Sequence, residues 1–271
     1  MRFEVLGPLS VVDYRHDQDK SLLPSASKKR VLLAALLSRV GEVVSTQSLI
    51  TEIWADQPPR KARGALHVYM AQLRNQLAES ASLEHRAQIV TEPPGYLLRL
   101  GGAEFDQHDF DILMREARKD FDAGDLPGAS KAVRSALGLW RGPALAGLTD
   151  GELLSVYATC LDEEYVAALE LRIELDLLLG KHRAIISELT RLIHEYPLRE
   201  TFYRHLMLAY YRSERQADAL NCFLQLRERL RNDLGVEPCR PVQRLHQAVL
   251  SADPALDHQF TRPEYLARVP S

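Results

Sequence analysis

The run from Trp54 to Tyr96 constrains this chain most. It reads Trp-Ala-Asp-Gln-Pro-Pro-Arg-Lys-Ala-Arg up to Arg63, continues as a helix-like stretch over 64–78, and closes on Thr91-Glu-Pro-Pro-Gly-Tyr96. Pro58 and Pro59 forbid continuation of a helix ending at Trp54. Arg60, Lys61 and Arg63 then place three cations at and just inside the N-terminus of a new helix, predicted over Arg60–Glu79. At an exposed site the helix dipole opposes such cations by roughly a few tenths of a kcal/mol each. Phosphate beside that end reverses the sign, because backbone N–H groups and cations then both face anions.

The helix has two stripes. Leu66, Met70, Leu73 and Leu77 fall at i, i+4, i+7 and i+11 and must face a core. Arg63, His67, Ala71 and Arg74 share that spacing, flanked by Gly64 and Asn75. This stripe is polar or small, and Arg, His, Asn and Gln can hydrogen-bond base edges. Taken alone it equally describes a solvated helix face. The segment after it favours a DNA-reading module: Gln88–Thr91 and Tyr96–Leu100 alternate as strands around Glu92-Pro-Pro-Gly95. A hairpin in that place is a wing that rests on the backbone beside the groove. The expected DNA-contacting residues are Arg60, Lys61, Arg63, Gly64, His67, Ala71, Arg74 and Asn75 on the helix, with Gly95, Tyr96 and Arg99 on the wing. Gly95 is expected to supply unusual turn angles and Arg99 to reach phosphate.

Ahead of this run, Phe3–Val12 reads as two short strands broken at Gly7-Pro8, and a third is expected near Ser21–Leu23. Ser27 is placed to cap a helix through Arg39, with Gly41 ending it. Ser45 or Thr46 is placed to cap the next, which carries Leu49, Ile50, Ile53 and Trp54. Strands, three helices and a hairpin in this order make an α/β winged helix-turn-helix, expected over 1–103. Residues 1–103 hold 13 Lys and Arg against 10 Asp and Glu; residues 104–271 hold 21 against 27. That asymmetry suits a DNA-binding module joined to a protein-interaction module, but it is too small to carry function.

From Asp106 onward the pattern is nearly all helical, and it repeats. Leu169, Ile185, Leu189, Leu192 and Arg199 lie 34 residues before Tyr203, Ala219, Phe223, Leu226 and Asp233. A helix–turn–helix period of that length is that of tetratricopeptide repeats. Gly180-Lys-His-Arg and Glu214-Arg-Gln-Ala then occupy equivalent turns. A degenerate earlier unit fits at 109–140: its turn at Gly124 matches Gly180 after a shift of 56, leaving an insertion near 141–162. Ordinary helical hairpins without repeat ancestry would give much the same architecture. The expected all-α, tetratricopeptide-repeat-like domain covers 104–252, and the polar stretch 253–271 is expected to be a disordered tail.

Chemistry-bearing motifs are scarce. Cys160, Cys222 and Cys239 are dispersed, which points to a reducing compartment and neither a disulfide nor a zinc site. No apolar leader follows Met1, and runs such as Val31–Leu37 are too short for a membrane span. Gly180-Lys181 resembles the end of a phosphate loop, but Leu175 stands where its first Gly is needed. Asp106, Asp109 and Asp111 read as helix capping and dipole complementation rather than a cation site. No catalytic residue, metal ligand or cofactor is therefore expected.

These residues resemble a known family. Leu49-Ile-Thr-Glu-Ile-Trp54, Pro58-Pro59, Ala65-Leu66, Tyr69, Leu73-Arg74 and Pro93-Pro-Gly-Tyr96 are similar to the OmpR-type winged helix of the actinobacterial antibiotic regulatory protein (SARP) family. Leu139-Trp-Arg-Gly-Pro-Ala-Leu-Ala-Gly-Leu148 and Arg229-Leu-Arg-Asn-Asp-Leu-Gly-Val-Glu-Pro238 resemble the hallmarks of its bacterial transcriptional activation domain. The resemblance covers nearly all of 1–250. It implies a cytoplasmic, nucleoid-associated activator that binds tandem direct repeats in double-stranded DNA beside copies of itself. It further implies recruitment of RNA polymerase holoenzyme through its sigma and alpha subunits, for a secondary-metabolite cluster. Gly64, His67 and Gln72 depart from the Asn, Gln and Arg that relatives often carry on the recognition helix, so the target repeat is expected to differ. The alternative of another class is a repeat adaptor whose first module binds protein; it gains if the Arg63–His67–Arg74 face is buried or acidic-lined. Trp140 is expected to be a buried anchor.

Overall fold

The computed structural model of the chain describes residues 1–13, 20–79 and 87–257. They form two compact units, one of residues 1–115 and 135–166, the other of 116–134 and 167 onward.

The first unit begins with β1 (Arg2–Glu4), β2 (Ser10–Asp13) and β3 (Lys20–Ser21). With β7 (Glu104–Phe105) they form a four-stranded sheet in the order β3-β2-β1-β7. β1 and β2 are antiparallel, with Phe3 opposite Val11. Between β3 and β7 lie the winged-helix elements: α1 (Ser27–Leu37), β4 (Val44–Ser45), α2 (Thr46–Trp54), α3 (Ala62–Glu79), β5 (Gln88–Glu92) and β6 (Gly95–Arg99). The second sheet has the order β4-β6-β5. The fold is the expected mixture of an α/β N-terminal region and an all-helical remainder.

Of the two expected helix caps, one changes. Ala26, not Ser27, holds the N-cap position of α1 and offers no side-chain bond. The helix does not depend on that cap, because Leu32 to Leu37 are all buried and packing fixes it. Ser45 does cap α2, its hydroxyl accepting from the Ser48 N–H at 2.9 Å.

The first unit runs past residue 103 because two carboxylates reach across the sequence. Asp106 opens α4 (Asp106–Asp122), and its buried side chain accepts from the N–H groups of Val5 and Leu6 at 2.9–3.0 Å. Burial pushes this carboxyl upward while those donors pull it back. The segment after α5 (Leu126–Leu137) closes the other side: Arg141 N–H donates to Leu6 O at 2.8 Å, and Leu145 N–H to Val5 O at 3.2 Å. The Trp-Arg-Gly-Pro-Ala-Leu hallmark is thus a clasp on the β1–β2 turn. Trp140 itself is only half-buried, against Phe110 at 5.7 Å and Tyr165 at 4.9 Å. Its indole N–H has no acceptor among the described residues, so the ring packs without the polar bond a full anchor would need. The second carboxylate is Glu52 of α2, which accepts from Leu153 and Leu154 N–H at 2.9 and 3.1 Å and so caps α6 (Glu152–Leu178). A Cβ on Gly151 would meet that carboxylate and push it from the cap.

The second unit is built from hairpins, and the repeat is visible in its turns. Gly124, Gly180 and Glu214 all adopt positive φ, at 81°, 76° and 64°. Each is followed by the same bond five residues back: Asp125 N–H to Asp120 O, Lys181 to Asp176 and Arg215 to Tyr210, at 2.8–2.9 Å. The apolar positions also coincide. Ile185, Leu189 and Leu192 of α7 (His182–Glu195) are buried, as are Ala219, Phe223 and Leu226 of α9 (Gln216–Leu234). α8 (Glu200–Arg212) packs against both, and α10 (Arg240–Leu250) lies on α8 and α9. In the second hallmark Gly235 ends α9 in the left-handed region, Glu237 turns back to Arg227 at 2.7 Å, and Arg229 donates to the Tyr203 hydroxyl at 2.9 Å. Residues 253–257 are not a loose tail: Pro254–Leu256 is a 3-10 turn, Leu256 is buried, and Arg212 donates to its carbonyl at 2.8 Å. The remainder of the expected tail, 258–271, lies outside the described residues.

Candidate nucleic-acid interface

The apolar stripe of α3 is buried as its spacing requires: Leu66, Met70, Leu73 and Leu77 are each at most 4 % exposed. That fixes which face looks outward. Arg63, Gly64, His67, Val68, Ala71, Gln72 and Asn75 are all exposed. The helix begins at Ala62, so Arg60 and Lys61 sit in the turn before it, and Pro59 O accepts the Ala62 N–H at 2.9 Å. No acidic residue occurs from Ala62 to Ala78. The side chains of Arg60, Lys61, Arg63 and Arg99 enter no ion pair among the described residues. The face is therefore a positive surface with no internal neutralisation.

Beside it stands the β5–β6 hairpin, with Glu92 paired to Gly95 and Thr91 to Tyr96. Its tip, Pro93-Pro94, is exposed. Thr46, at the start of α2, binds Pro94 O twice, through its N–H at 3.1 Å and its hydroxyl at 3.0 Å. Arg74 ties the hairpin to α3: its Nε donates to Ile89 O at 2.7 Å, one Nη to the Thr91 hydroxyl at 2.6 Å, and its guanidinium lies 5.7 Å from the Tyr96 ring. Wing, α2 start and α3 are thus tied together by hydrogen bonds, a preorganised surface rather than a loop on a helix.

This geometry sorts the expected contact residues. Arg60, Lys61, Arg63, Gly64, His67, Ala71, Asn75 and Arg99 are exposed. Three differ. Arg74 is half-buried and held by the wing, so its first role is to position the hairpin. Tyr96 is 3 % exposed, lies beneath the tip, and has its phenol pushed up by burial. His67 meets its ring edge-on at 6.4 Å. Gly95 does not use the positive-φ region expected for it. It is glycine because β4 approaches: a Cβ there would lie 2.7 Å from the Val44 carbonyl carbon and closer still to its oxygen. Gly95→Val should therefore break the β4–β6 pairing and lower affinity for all duplexes about equally. A loss confined to one sequence, in binding assays on matched and scrambled duplexes, would show instead that the wing reads bases. Val68 is exposed on the same face, an apolar residue interrupting a polar one.

Comparisons with known proteins agree with this architecture. Residues 20–98 match the model of the C-terminal domain of transcriptional regulatory proteins, and 105–250 that of the bacterial transcriptional activator domain. The chain belongs to the actinobacterial antibiotic regulatory protein family. It is 35 % identical over 261 residues to the regulatory protein DnrI of Streptomyces peucetius, covering 95 % of this chain and 94 % of that one. It is 39 % identical to the regulatory protein AfsR of Streptomyces coelicolor over 94 % of its own length, but spans only 25 % of that protein. The solved structure of Mycobacterium tuberculosis EmbR in complex with a low-affinity phosphopeptide superimposes with a TM-score of 0.85 at 30 % identity, over 96 % of this chain and 68 % of that one. The protein is thus a transcriptional regulator and not an enzyme. No helix among the described residues is long and apolar enough to cross a membrane.

Proposed function

We propose that this protein is a sequence-specific activator that binds tandem direct repeats in promoter DNA, with α3 in the major groove and the wing on the adjacent backbone. Neighbouring copies occupy successive repeats. The 104–252 region recruits RNA polymerase holoenzyme through sigma and alpha, in the cytoplasm at the nucleoid, and the target is a secondary-metabolite cluster. The observation that carries this reading is the acid-free run 62–78 ringed by the unpaired cations Arg60, Lys61, Arg63 and Arg99, with Arg74 tying α3 to the wing and Thr46 tying α2 to its tip. Arg60, Lys61, Arg63 and Arg99 reach phosphate, and His67, Ala71 and Asn75 lie against base edges with the Gly64 backbone close behind. A partner protein would need a complementary acidic face, whereas a duplex offers one along its whole length.

The test is a footprint on promoters beside the protein's own gene, followed by titration at several salt concentrations. Arg63→Ala removes little packing, because the side chain is exposed. If Arg63 meets phosphate, affinity should fall on every sequence and the salt slope should drop by about 1; if it meets a base, about 1–3 kcal/mol should vanish on the specific site alone. Unchanged affinity and slope would move the recognition surface elsewhere. Arg74→Ala should lose binding too, but with a loosened wing, seen as faster amide exchange in β5.

A further inference from the structure

Val68 is the one large aliphatic side chain on the outward face of α3 among the described residues, and it is 54 % exposed. Nothing in the first unit covers it. Its neighbours on the same face are small or polar: Gly64 one turn before, Ala71 and Gln72 one turn after. A Cβ built on Gly64 would meet no atom within 4 Å, so the helix backbone there stands open to close approach. β-branched Val is also a poorer helix former than the Lys, Gln or Glu that a purely solvated position would carry. The surround is cationic and free of acid, so the occupant is polyanionic, yet Val68 itself can satisfy neither a phosphate nor a hydrogen-bonding base edge. In the major groove one group suits it, the C5-methyl of thymine.

We propose that Val68, with the Ala71 methyl beside it, reads a thymine by packing against its 5-methyl group, and that each repeat therefore carries an obligatory T·A pair under the centre of α3. The inference rests on the DNA-binding reading above and adds the identity of one base pair. Small residues at 64 and 71 let the helix sit deep enough for a short side chain to touch the groove floor, and Gln72 on the following turn lies in reach of the adjacent pair.

The test uses the full chain. Binding sites are selected from a random duplex pool, and each thymine of the selected site is then replaced singly by deoxyuridine, which removes only the methyl. The expected result is tolerance at most positions and about a fourfold loss at one thymine per repeat, the worth of burying one methyl group. Val68→Ala, which should fold as well as the parent because the site is exposed and Ala favours helix, is expected to bind thymine and uracil sites equally. Tight selection with uracil tolerated everywhere overturns the inference and leaves the DNA-binding reading intact. So does a variant that keeps the full thymine preference. Failure to enrich any duplex at low salt sinks both.

Discussion

Asp106→Ala should be the most damaging single substitution in the first unit. The carboxylate is 1 % exposed and takes up the N–H groups of both Val5 and Leu6, which are themselves fully buried. Alanine leaves those donors without an acceptor, at about 1–3 kcal/mol for each unsatisfied group. It also removes one of the two carboxylates beside the Arg141 guanidinium, which lies 3.8 Å from Asp106 and 3.6 Å from Glu4. A total of about 3–5 kcal/mol is a large share of the roughly 5–15 kcal/mol that holds a typical domain together. The expected result is a melting transition of the first unit lowered by many degrees while the second unit melts unchanged. Fast hydrogen exchange at the Val5 and Leu6 amides would accompany it. Asp106→Asn keeps one acceptor oxygen and should lose less. An unaltered thermogram in the alanine variant would mean that the β1–β2 turn is held by the Arg141–Leu145 backbone alone.

The same contact explains what could be read from the sequence and what could not. Periodicity fixed both stripes of α3, because a helical face depends only on residues three and four apart. The 34-residue spacing found the equivalent turns, and the structure gives Glu214 the positive φ that Gly180 has. Local spacing is silent where a side chain's partner is distant. Asp106 reads locally as a cap for its own helix, yet it serves residues 100 positions earlier. Arg74 lies on the outward spacing, yet its donors go to Ile89 and Thr91, partners the spacing cannot see. Pro-Pro-Gly signals turn chemistry at Gly95, yet the constraint there is the close pass of β4. A fragment cut at 103, where composition breaks, would leave out Asp106 and the 141–145 clasp and so expose the β1–β2 turn.

In the second unit, replacing His205 should do the reverse and stabilise. His205 sits in α8 with 1 % of its surface exposed, and neither ring nitrogen has a hydrogen-bond partner among the described residues. An imidazole buried in that way forfeits its hydration without return, about 1–3 kcal/mol for the unmade bonds. His205→Leu, of similar bulk, should recover part of that at neutral pH. The pH dependence is sharper. Burial, aided by the Arg204 charge, holds the folded-state pKa of His205 well below its ordinary value near 6.5. Above that ordinary value both folded and unfolded chains carry the neutral ring and no penalty arises. As pH falls below it, the unfolded chain takes up the proton and the folded one does not, so stability declines by up to about 1.4 kcal/mol per pH unit until the folded pKa is reached. His182 and His246 are shifted in the same direction, His182 by burial and by Arg212 and Arg183, His246 by burial and by Arg227, so the parent should be acid-sensitive from several sites. The difference between parent and His205→Leu isolates this one. Urea unfolding of the second unit at pH 7.5, 6 and 5 should show a gap that widens as pH falls; curves that stay parallel would mean that the ring gains a donor or acceptor in solution and is no longer a buried, unpaired base.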